Sequence, residues 1–304
     1  MKAMELATGK WAGILTAFGM TEYLTGKHGP CPSCGGKDRY RLIDAATGRW
    51  VCSQCRPDTG DGMALLQSFT GQSFASLARE IEAMVGDIKA NPKKAKKNPA
   101  PALNRMAAES VAVTEGDPVC RYLRNRGLTG SVPKSIRYNK SVAYYQEGQL
   151  IWRYPAMISR ISDRAGRRES FHVTHITDGG DKAPVAAVKK ILPPMTTISG
   201  SGVYLGKVNA EMMVTEGVET GLACMQLFGG SAIAAISAGG VEKLIIPHQV
   251  RRIKIMADND SNFRGQVAAY TLAARAQREG IDVSVIIPID CGDWLDVLNG
   301  GQTE

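Results

Sequence analysis

Carboxylates in the C-terminal third of the chain follow three apolar runs, each of which has the pattern of a buried strand. They are Glu216 after the first run, Asp258 and Asp260 after the second, and Asp290, Asp293 and Asp296 after the third. Open α/β sheets place their sites at the carboxyl ends of the strands, so we expect these groups to meet at one edge. The Asp-x-Asp spacing puts two carboxylates on one side of an extended chain. Clustered carboxylate oxygens favour Mg²⁺ over zinc, and we predict one metal-dependent site.

Four cysteines near the N-terminus form a second candidate metal site. Their frame is Cys-x2-Cys-x17-Cys-x2-Cys, formed by Cys31, Cys34, Cys52 and Cys55. Two such pairs are typical of tetrahedral structural zinc. Between the pairs the sequence alternates as a hairpin, which predicts a zinc ribbon.

The hairpin also carries residues suited to nucleic acid. Arg39, Arg41 and Arg49 occupy its predicted outward positions, and Tyr40 and Trp50 lie beside them. Basic and aromatic side chains together suit a single strand, whose bases stack on the rings. We predict that Arg39, Arg41 and Trp50 contact nucleic acid. The alternative is that zinc only folds a small module whose core contains the aromatic rings.

The composition narrows the class of protein. The 304 residues include 37 Lys and Arg against 29 Asp and Glu, a net charge of +8, which fits either a polyanionic partner or a merely basic protein. No apolar run approaches the roughly 18 residues that a membrane span needs. Trp11–Met20 is apolar enough to suggest a signal peptide, but its large apolar residues recur at the spacing of an amphipathic helix. We expect a cytoplasmic protein with reduced cysteines.

Most of the excess positive charge falls in the middle of the chain. The basic residues from 121 to 168 are Arg121, Arg124, Arg126, Lys134, Arg137, Lys140, Arg153, Arg160, Arg164, Arg167 and Arg168, against Glu147 and Asp163. Such an excess of basic over acidic residues predicts a surface along which the backbone of a nucleic acid binds. We predict short strands over 150–154, 157–162 and 169–176. Arg153, Arg160 and Arg164 lie on or beside these strands, so one sheet could present them together.

Our candidate contacts to nucleic acid or nucleotide in this region are Arg137, Arg153, Arg160, Lys182 and Lys190. For Lys182, Lys189 and Lys190, contact with a triphosphate, contact with a template strand and simple exposure all remain open.

The predicted elements divide the chain into four parts. Residues 1–89 form the zinc-binding part, 90–103 a flexible Lys- and Pro-rich linker, 104–205 a basic mixed α+β part, and 206–304 an α/β domain. In the last part we predict strands 211–216, 231–236, 252–257 and 282–287 and helices 218–228 and 262–279. Strands that alternate with helices predict a parallel sheet. The fold class is therefore α/β, with a zinc ribbon in front.

The combined motifs resemble those of bacteriophage and plasmid primases that join a zinc ribbon to a Toprim domain. Gly-Pro-Cys-Pro-x-Cys-Gly-Gly-Lys-Asp-Arg at 29–39, Trp-x-Cys-x-x-Cys at 50–55 and Gly-Asp-Gly at 60–62 resemble the zinc segment of satellite-phage primase–helicases. Tyr-Leu-x-x-Arg-Gly-Leu at 122–128, His172-x-Thr174 and Lys182-Ala183 resemble the middle segment. Glu-Gly-x-Glu-Thr at 216–220, Ala-Asp-x-Asp at 257–260 and Asp-Trp-x-Asp at 293–296 resemble Toprim motifs.

Two features depart from that pattern. Leu295 stands where such proteins often have Asn before the last Asp. No Gly-x4-Gly-Lys-Ser/Thr motif occurs, so we expect the helicase domain that often follows to be missing.

The resemblance implies a DNA primase that makes short RNA primers on single-stranded DNA from nucleoside triphosphates. It implies structural Zn²⁺ on the four cysteines and catalytic Mg²⁺ or Mn²⁺ on Asp258 and Asp260, with Asp293 a candidate further ligand. Glu216 would be the general base or an additional metal contact, and Glu219 would only cap and orient. The implied partners are the template, the triphosphates and a separately encoded replicative helicase.

Two other classes of function remain open. A Toprim site also serves metal-dependent DNA cleavage, so a nuclease is the alternative enzyme; a topoisomerase is disfavoured because no DNA-breaking tyrosine domain is evident. A zinc-ribbon DNA-binding replication factor without catalysis is the non-enzymatic alternative. A labelled single strand that lengthens, shortens or stays unchanged with nucleotides would separate the three.

Overall fold

The computed structural model describes residues 2–89 and 98–300. These ranges form two compact units, one on each side of residues 90–97, and each unit is described by itself. In neither range is any helix both long and apolar enough to cross a membrane.

The N-terminal unit packs helices around a small antiparallel sheet in the strand order β1-β2-β3-β4. Its elements are α1 (Lys2–Ala7), α2 (Trp11–Ala17), a 3-10 helix (Thr21–Leu24), β1 (Gly29–Cys31), β2 (Gly35–Asp44), β3 (Arg49–Cys52), β4 (Thr59–Gly60), α3 (Gly62–Thr70) and α4 (Phe74–Met84). The predicted hairpin is confirmed as β2 and β3, which pair antiparallel.

The hairpin buries one face and exposes the other. Arg39 and Arg41 are exposed as predicted, but Tyr40 and Trp50 retain only 1% and 3% of their accessible surface. Their ring centroids lie 6.2 Å apart inside the core of the unit, and Trp50 Nε1 donates to the carbonyl of Asp61 at 3.1 Å. The prediction that Trp50 stacks on bases is therefore wrong, because its ring is part of the core.

The C-terminal unit contains one large sheet. Its elements are α5 (Ala100–Glu109), β5 (Val111–Ala112), α6 (Pro118–Asn125), β6 (Ile136–Gln146), β7 (Gln149–Ser162), β8 (Arg168–His175), β9 (Lys189–Ile191), β10 (Gly202–Leu205), β11 (Glu211–Thr215), α7 (Val218–Phe228), β12 (Ala232–Ala234), α8 (Ala238–Lys243), β13 (Arg252–Met256), α9 (Arg264–Arg278), β14 (Asp282–Ile286) and α10 (Trp294–Leu298). The main path of the sheet is β14-β13-β11-β12-β10-β7-β6-β5, with β8 paired to β7 and β9 to β8.

The predicted parallel sheet is confirmed for β12, β11, β13 and β14, whereas β5 to β10 pair antiparallel. The sheet is therefore mixed, and it continues without a break across the predicted boundary at 205/206. The predicted strands 150–154 and 157–162 are one strand, β7, which runs through Pro155.

The sheet has helices on both faces. On one face, called the α7 face, α6, α7 and α10 pack in a common core with Met157 and Ile161. On the opposite face, called the α5 face, α5 covers Ile158 and Phe171, while α8 and α9 cover the parallel strands.

The predicted linker 90–103 needs correction at its end. Residues 90–97 lie outside the described ranges, but α5 begins at Ala100, and Leu103 is fully buried. Pro101 lies in the first turn of that helix, where the missing N–H of proline costs no hydrogen bond.

Replacing Gly62 by Ala should destabilise the N-terminal unit. An added Cβ would lie 2.0 Å from Cε3 of the buried Trp11 ring, and overpacking of this kind costs about 1–3 kcal/mol. Gly86→Ala is the matched control, since nothing lies within 4 Å of its Cβ position. Urea unfolding of both variants measures the difference; equal stabilities would contradict this packing.

Candidate functional site

The four cysteines of the N-terminal unit converge on one point. Cys31 Sγ lies 3.6 Å from Cys55 Sγ, Cys34 Sγ lies 3.6 Å from Cys52 Sγ, and all four sulfurs lie within 4.8 Å of one another. Four thiolates at Zn–S distances of about 2.3 Å around a tetrahedral ion stand nearly this far apart. The donor set therefore fits structural zinc.

The local fold prepares these sulfurs to bind a cation. Burial raises the pKa of the Cys52 thiol, but hydrogen bonds from the backbone N–H groups of Gln54 and Cys55 and from the thiols of Cys55 and Cys34 together lower that pKa to about 7. The Ser33 N–H donates to Cys31 Sγ at 3.4 Å. Hydrogen bonds of this kind stabilise the thiolate, which is the form that binds zinc.

The acidic residues of the C-terminal unit gather at one edge of the sheet. Glu216 connects β11 to α7, Asp258 and Asp260 follow β13, and Asp293 and Asp296 begin α10. Asp290 was predicted to belong to the same site, but its side chain is exposed and is not among the carboxylates that act on Asp258. Its backbone carbonyl accepts from the Asn259 side chain.

Asp258 is the electrostatic centre of this edge. Burial raises the pKa of its carboxyl, and repulsion from the carboxylates of Asp293, Glu216, Asp260 and Asp296, in that order, adds to it, to about 7. Burial also raises the pKa of Glu216. Asp258 Oδ1 is buried and has no hydrogen-bond partner. A buried carboxylate oxygen without a donor, with other carboxylates around it, is suited to a divalent cation.

Each neighbouring carboxylate is held by backbone groups. The Gly265 N–H donates to Asp260 Oδ2 at 3.0 Å. Asp293 caps α10 by accepting from the N–H groups of Leu295 and Asp296, at 2.7 and 3.1 Å. Its second oxygen, Oδ2, accepts from the Thr220 hydroxyl at 3.3 Å. The carboxylates therefore keep their places despite their mutual repulsion.

Asn259 ties two of the acidic loops together. Its Nδ2 donates to the carbonyls of Pro288, Ile289 and Asp290 at 3.0–3.3 Å, and its backbone bridges to Gly292. The loop that leads to Asp293 is therefore fastened to the loop that carries Asp258. Sequence reasoning treated Asn259 only as the spacer between two aspartates.

Two residues beside the acidic edge have left-handed backbone conformations. Ile236 has φ 73° and donates its N–H to the carbonyl of Glu216 at 2.8 Å. Phe263 has φ 60° just before α9. Such conformations are costly for bulky residues and concentrate at functional sites.

An ion pair between a partly exposed lysine and a buried carboxylate lies on the α7 face. Glu219 is 3% exposed, accepts from the Tyr122 hydroxyl at 2.8 Å, and pairs with Lys189 Nζ at 2.8 Å. Burial alone would raise the pKa of Glu219, but Lys189 and Tyr122 hold it below its usual value. Burial lowers the pKa of the nearby His172 to about 4, so this imidazole is neutral at pH 7. Glu219 thus fixes Lys189 to α7, a contact that sequence reasoning missed.

The predicted basic residues do not share one surface. Arg153 is opposite Ala143 on the α7 face, whereas Arg160 is opposite Phe171 on the α5 face. They are seven residues apart on one strand, and side chains alternate. The prediction that one sheet presents them together is therefore wrong. Lys182 is exposed, while Lys190 lies 3.6 Å from the centroid of the Tyr144 ring.

The acidic edge is open compared with the cysteine cluster. In the described ranges, no three acidic side chains bring their oxygens within 4.8 Å of one another. Mutual repulsion among the carboxylates favours such a spacing, and Arg264 is a positive group that acts on Glu216. The residues fit Mg²⁺ by their chemistry, through the unpartnered oxygen of Asp258.

Three family models match the chain. Residues 26–63 match the zinc-binding domain of primase-helicase, and residues 211–302 match the Toprim domain. Residues 97–203 match a domain of unknown function (DUF7146). The chain therefore carries a zinc-binding domain of the primase type and a Toprim domain, as the sequence motifs predicted.

The solved structures that the chain matches include domains and fragments of primases. A DNA primase domain from Pseudomonas aeruginosa is 17% identical over 66% of this chain and 74% of its own, at a TM-score of 0.45. The zinc-binding and RNA polymerase domains of Aquifex aeolicus primase are 16% identical over 94% and 79%, at 0.45. The primase fragment of the bacteriophage T7 primase-helicase protein is 16% identical over 90% and 95%, at 0.38. At such values only the family models support a domain assignment.

Replacing Cys31 by Ser should unfold the zinc ribbon. The variant loses one of four thiolates, and the metal-binding free energy is part of what folds such modules. Metal analysis should find one zinc per wild-type chain and much less in the variant. The C-terminal unit should keep its own thermal transition; a wild-type chain without zinc would contradict the assignment.

Replacing Asp258 by Asn should stabilise the metal-free chain at pH 8. Because its pKa is raised in the folded state, stability is greatest below about pH 4 and is lost as the pH rises towards 7. The gain from Asn should be roughly 1–3 kcal/mol at pH 8 and vanish near pH 4.

Thermal unfolding in EDTA across this pH range measures the gain. Asp290→Asn, at the exposed carboxylate of the neighbouring loop, is the control and should change nothing. A gain that does not depend on pH would show that Asp258 has no raised pKa.

Proposed function

We propose that this chain, which joins a primase-type zinc-binding domain to a Toprim domain, is a DNA primase. It would synthesise short RNA primers on single-stranded DNA from nucleoside triphosphates. The observation that carries the proposal is the acidic edge, where Asp258 is buried among carboxylates and keeps one oxygen without a donor.

The reaction suits these residues. The 3′-hydroxyl of a primer attacks the α-phosphate of a triphosphate, a new P–O bond forms, and diphosphate leaves. Bound Mg²⁺ or Mn²⁺ would lower the pKa of the hydroxyl and stabilise the charge that develops on the attacking and leaving oxygens. Asp258 and Asp260 would hold this metal, with Asp293 as a further ligand.

Glu216 is our candidate for the general base, or for an additional metal contact. Burial raises the pKa of its carboxyl above the usual value, which moves its basicity towards neutral pH and favours proton transfer there. Because its backbone carbonyl accepts from Ile236, the residue is fixed where β11 ends. Glu219 would be a positioning residue, since both its oxygens are engaged by Lys189 and Tyr122.

The zinc unit and the basic residues would recognise the template. Arg39 and Arg41 remain our candidates in the zinc unit, because both are exposed. In the C-terminal unit Arg153 and Lys182 remain candidates for phosphate contacts, and both are exposed. A separately encoded helicase and a cytoplasmic location complete the proposal.

Replacing Glu216 or Asp258 by Ala should abolish primer synthesis. Loss of a metal ligand or base removes transition-state stabilisation, and we expect a fall of at least 10²-fold. The assay incubates single-stranded DNA with labelled nucleoside triphosphates and Mg²⁺. Asp290→Ala is the control and should keep full activity.

The same gel separates the alternatives. New labelled oligonucleotides that require the triphosphates support a primase. Shortening of the DNA would identify a metal-dependent nuclease, and binding without any product would favour a non-catalytic replication factor. Circular dichroism should show that each variant is folded.

A chain limited to residues 98–304 should retain weak metal-dependent synthesis but lose its choice of start site. This range contains the acidic edge and forms its own compact unit. In the full-length chain, Arg39→Ala and Arg41→Ala should shift the start positions, whereas Arg79→Ala, at an exposed position of α4, should not. If the shortened chain starts at the same template positions, the zinc unit does not select them.

A further inference from the structure

A basic groove lies on the α5 face of the sheet. It encloses about 510 Å³ and is lined by Ala107, Ala112, Val113, Val132, Pro133, Lys134, Ser135, Ile136, Arg137, Arg160, Arg168 and Phe171. Its lining includes a lysine and three arginines but no carboxylate. A volume of this size is typical of small-molecule sites.

The cations of this groove are not neutralised by ion pairs. In the described ranges, none of Lys134, Arg137, Arg160 or Arg168 is within ion-pair distance of a carboxylate. Arg137 and Arg168 donate only to neutral groups of α5, the carbonyl of Ala107 at 3.5 Å and Asn104 Oδ1 at 2.6 Å. The Nε of Arg168 is buried and has no partner. The groove therefore concentrates positive charge with unused donors.

The groove is separate from the acidic edge. Its lining contains none of the acidic residues Glu216, Asp258, Asp260, Asp293 and Asp296. In the strand order, β12 and β10 lie between β11, which leads to Glu216, and β7, which carries Arg160. A ligand in the groove is therefore not held by the residues that surround Asp258.

We propose that this groove binds the phosphates and base of a nucleotide. Guanidinium groups form paired hydrogen bonds with phosphate oxygens, and three arginines line this groove. The partly exposed apolar side chains of the lining, which include Val132 and Pro133, suit a nucleobase. A free nucleoside triphosphate and a nucleotide within a single strand both offer phosphates and a base to this groove. The groove volume of about 510 Å³ favours the free triphosphate.

Metal-free binding isolates the groove. The probe is ATP in a buffer without free divalent cations, measured by calorimetry with the zinc-loaded full chain, because binding at the acidic edge would need a divalent cation while binding to arginines does not. Arg160→Ala should weaken this binding roughly tenfold, the effect of one lost hydrogen bond to a charged group. Arg160→Lys should recover part of it, since it restores the charge.

The control is Arg278→Ala, at an exposed arginine of α9, which should leave ATP binding unchanged.

Binding of a short oligothymidylate, measured in the same way, forms the second arm of the experiment. If Arg160→Ala weakens the binding of the oligothymidylate but not that of ATP, the groove binds a nucleic-acid strand and a free nucleotide is excluded as its ligand. If neither ligand depends on Arg160, the proposal is overturned. Primer synthesis is not measured, so the result stands whether or not the chain is a primase.

Discussion

Repulsion among the carboxylates around Asp258 is the constraint on which the C-terminal unit depends. Parallel strands deliver acidic residues to one edge, and burial then removes the water that would separate their charges. Backbone hydrogen bonds hold Asp260 and Asp293 in place against this repulsion, and the Asn259 side chain joins the two loops that carry these residues. Only a proton or a cation can relieve the charge on Asp258 itself. A site built in this way is prepared for a divalent metal.

The N-terminal unit also brings several metal-binding groups together, but these are cysteine sulfurs, which are softer ligands than carboxylates. Four sulfurs converge within 4.8 Å, close enough for one tetrahedral ion, whereas the carboxylates of the acidic edge stay further apart. Thiolates select zinc, and carboxylates select Mg²⁺ or Mn²⁺. The closed thiolate shell suits a structural role, and the open acidic edge leaves room for substrate oxygens. One chain thus carries a cysteine cluster suited to zinc and an acidic edge suited to a divalent cation, each in its own compact unit.

Local patterns in the sequence were enough to predict the cysteine cluster, the gathering of acidic residues at one edge of the sheet and the strand–helix order around them. The cysteine spacing and the acidic residues after apolar runs are local signals of this kind. The missed features depend on distant contacts or on where a strand ends. Trp50 is buried because helices cover its face of the hairpin, and Glu219 accepts a hydrogen bond from Tyr122, 97 residues away. The prediction of two strands, 150–154 and 157–162, where there is one, hid the alternation that separates Arg153 from Arg160.

The central claim is that the acidic edge binds a divalent cation through Asp258. The most direct measurement is Mn²⁺ binding to the full-length chain with zinc already bound, followed by the loss of the free-ion signal in electron paramagnetic resonance. Wild-type protein should bind Mn²⁺ more tightly as the pH rises through 7, because the Asp258 proton must leave. Asp258→Asn should lose this binding, while Asp290→Asn keeps it. Equal binding by all three proteins would contradict the account.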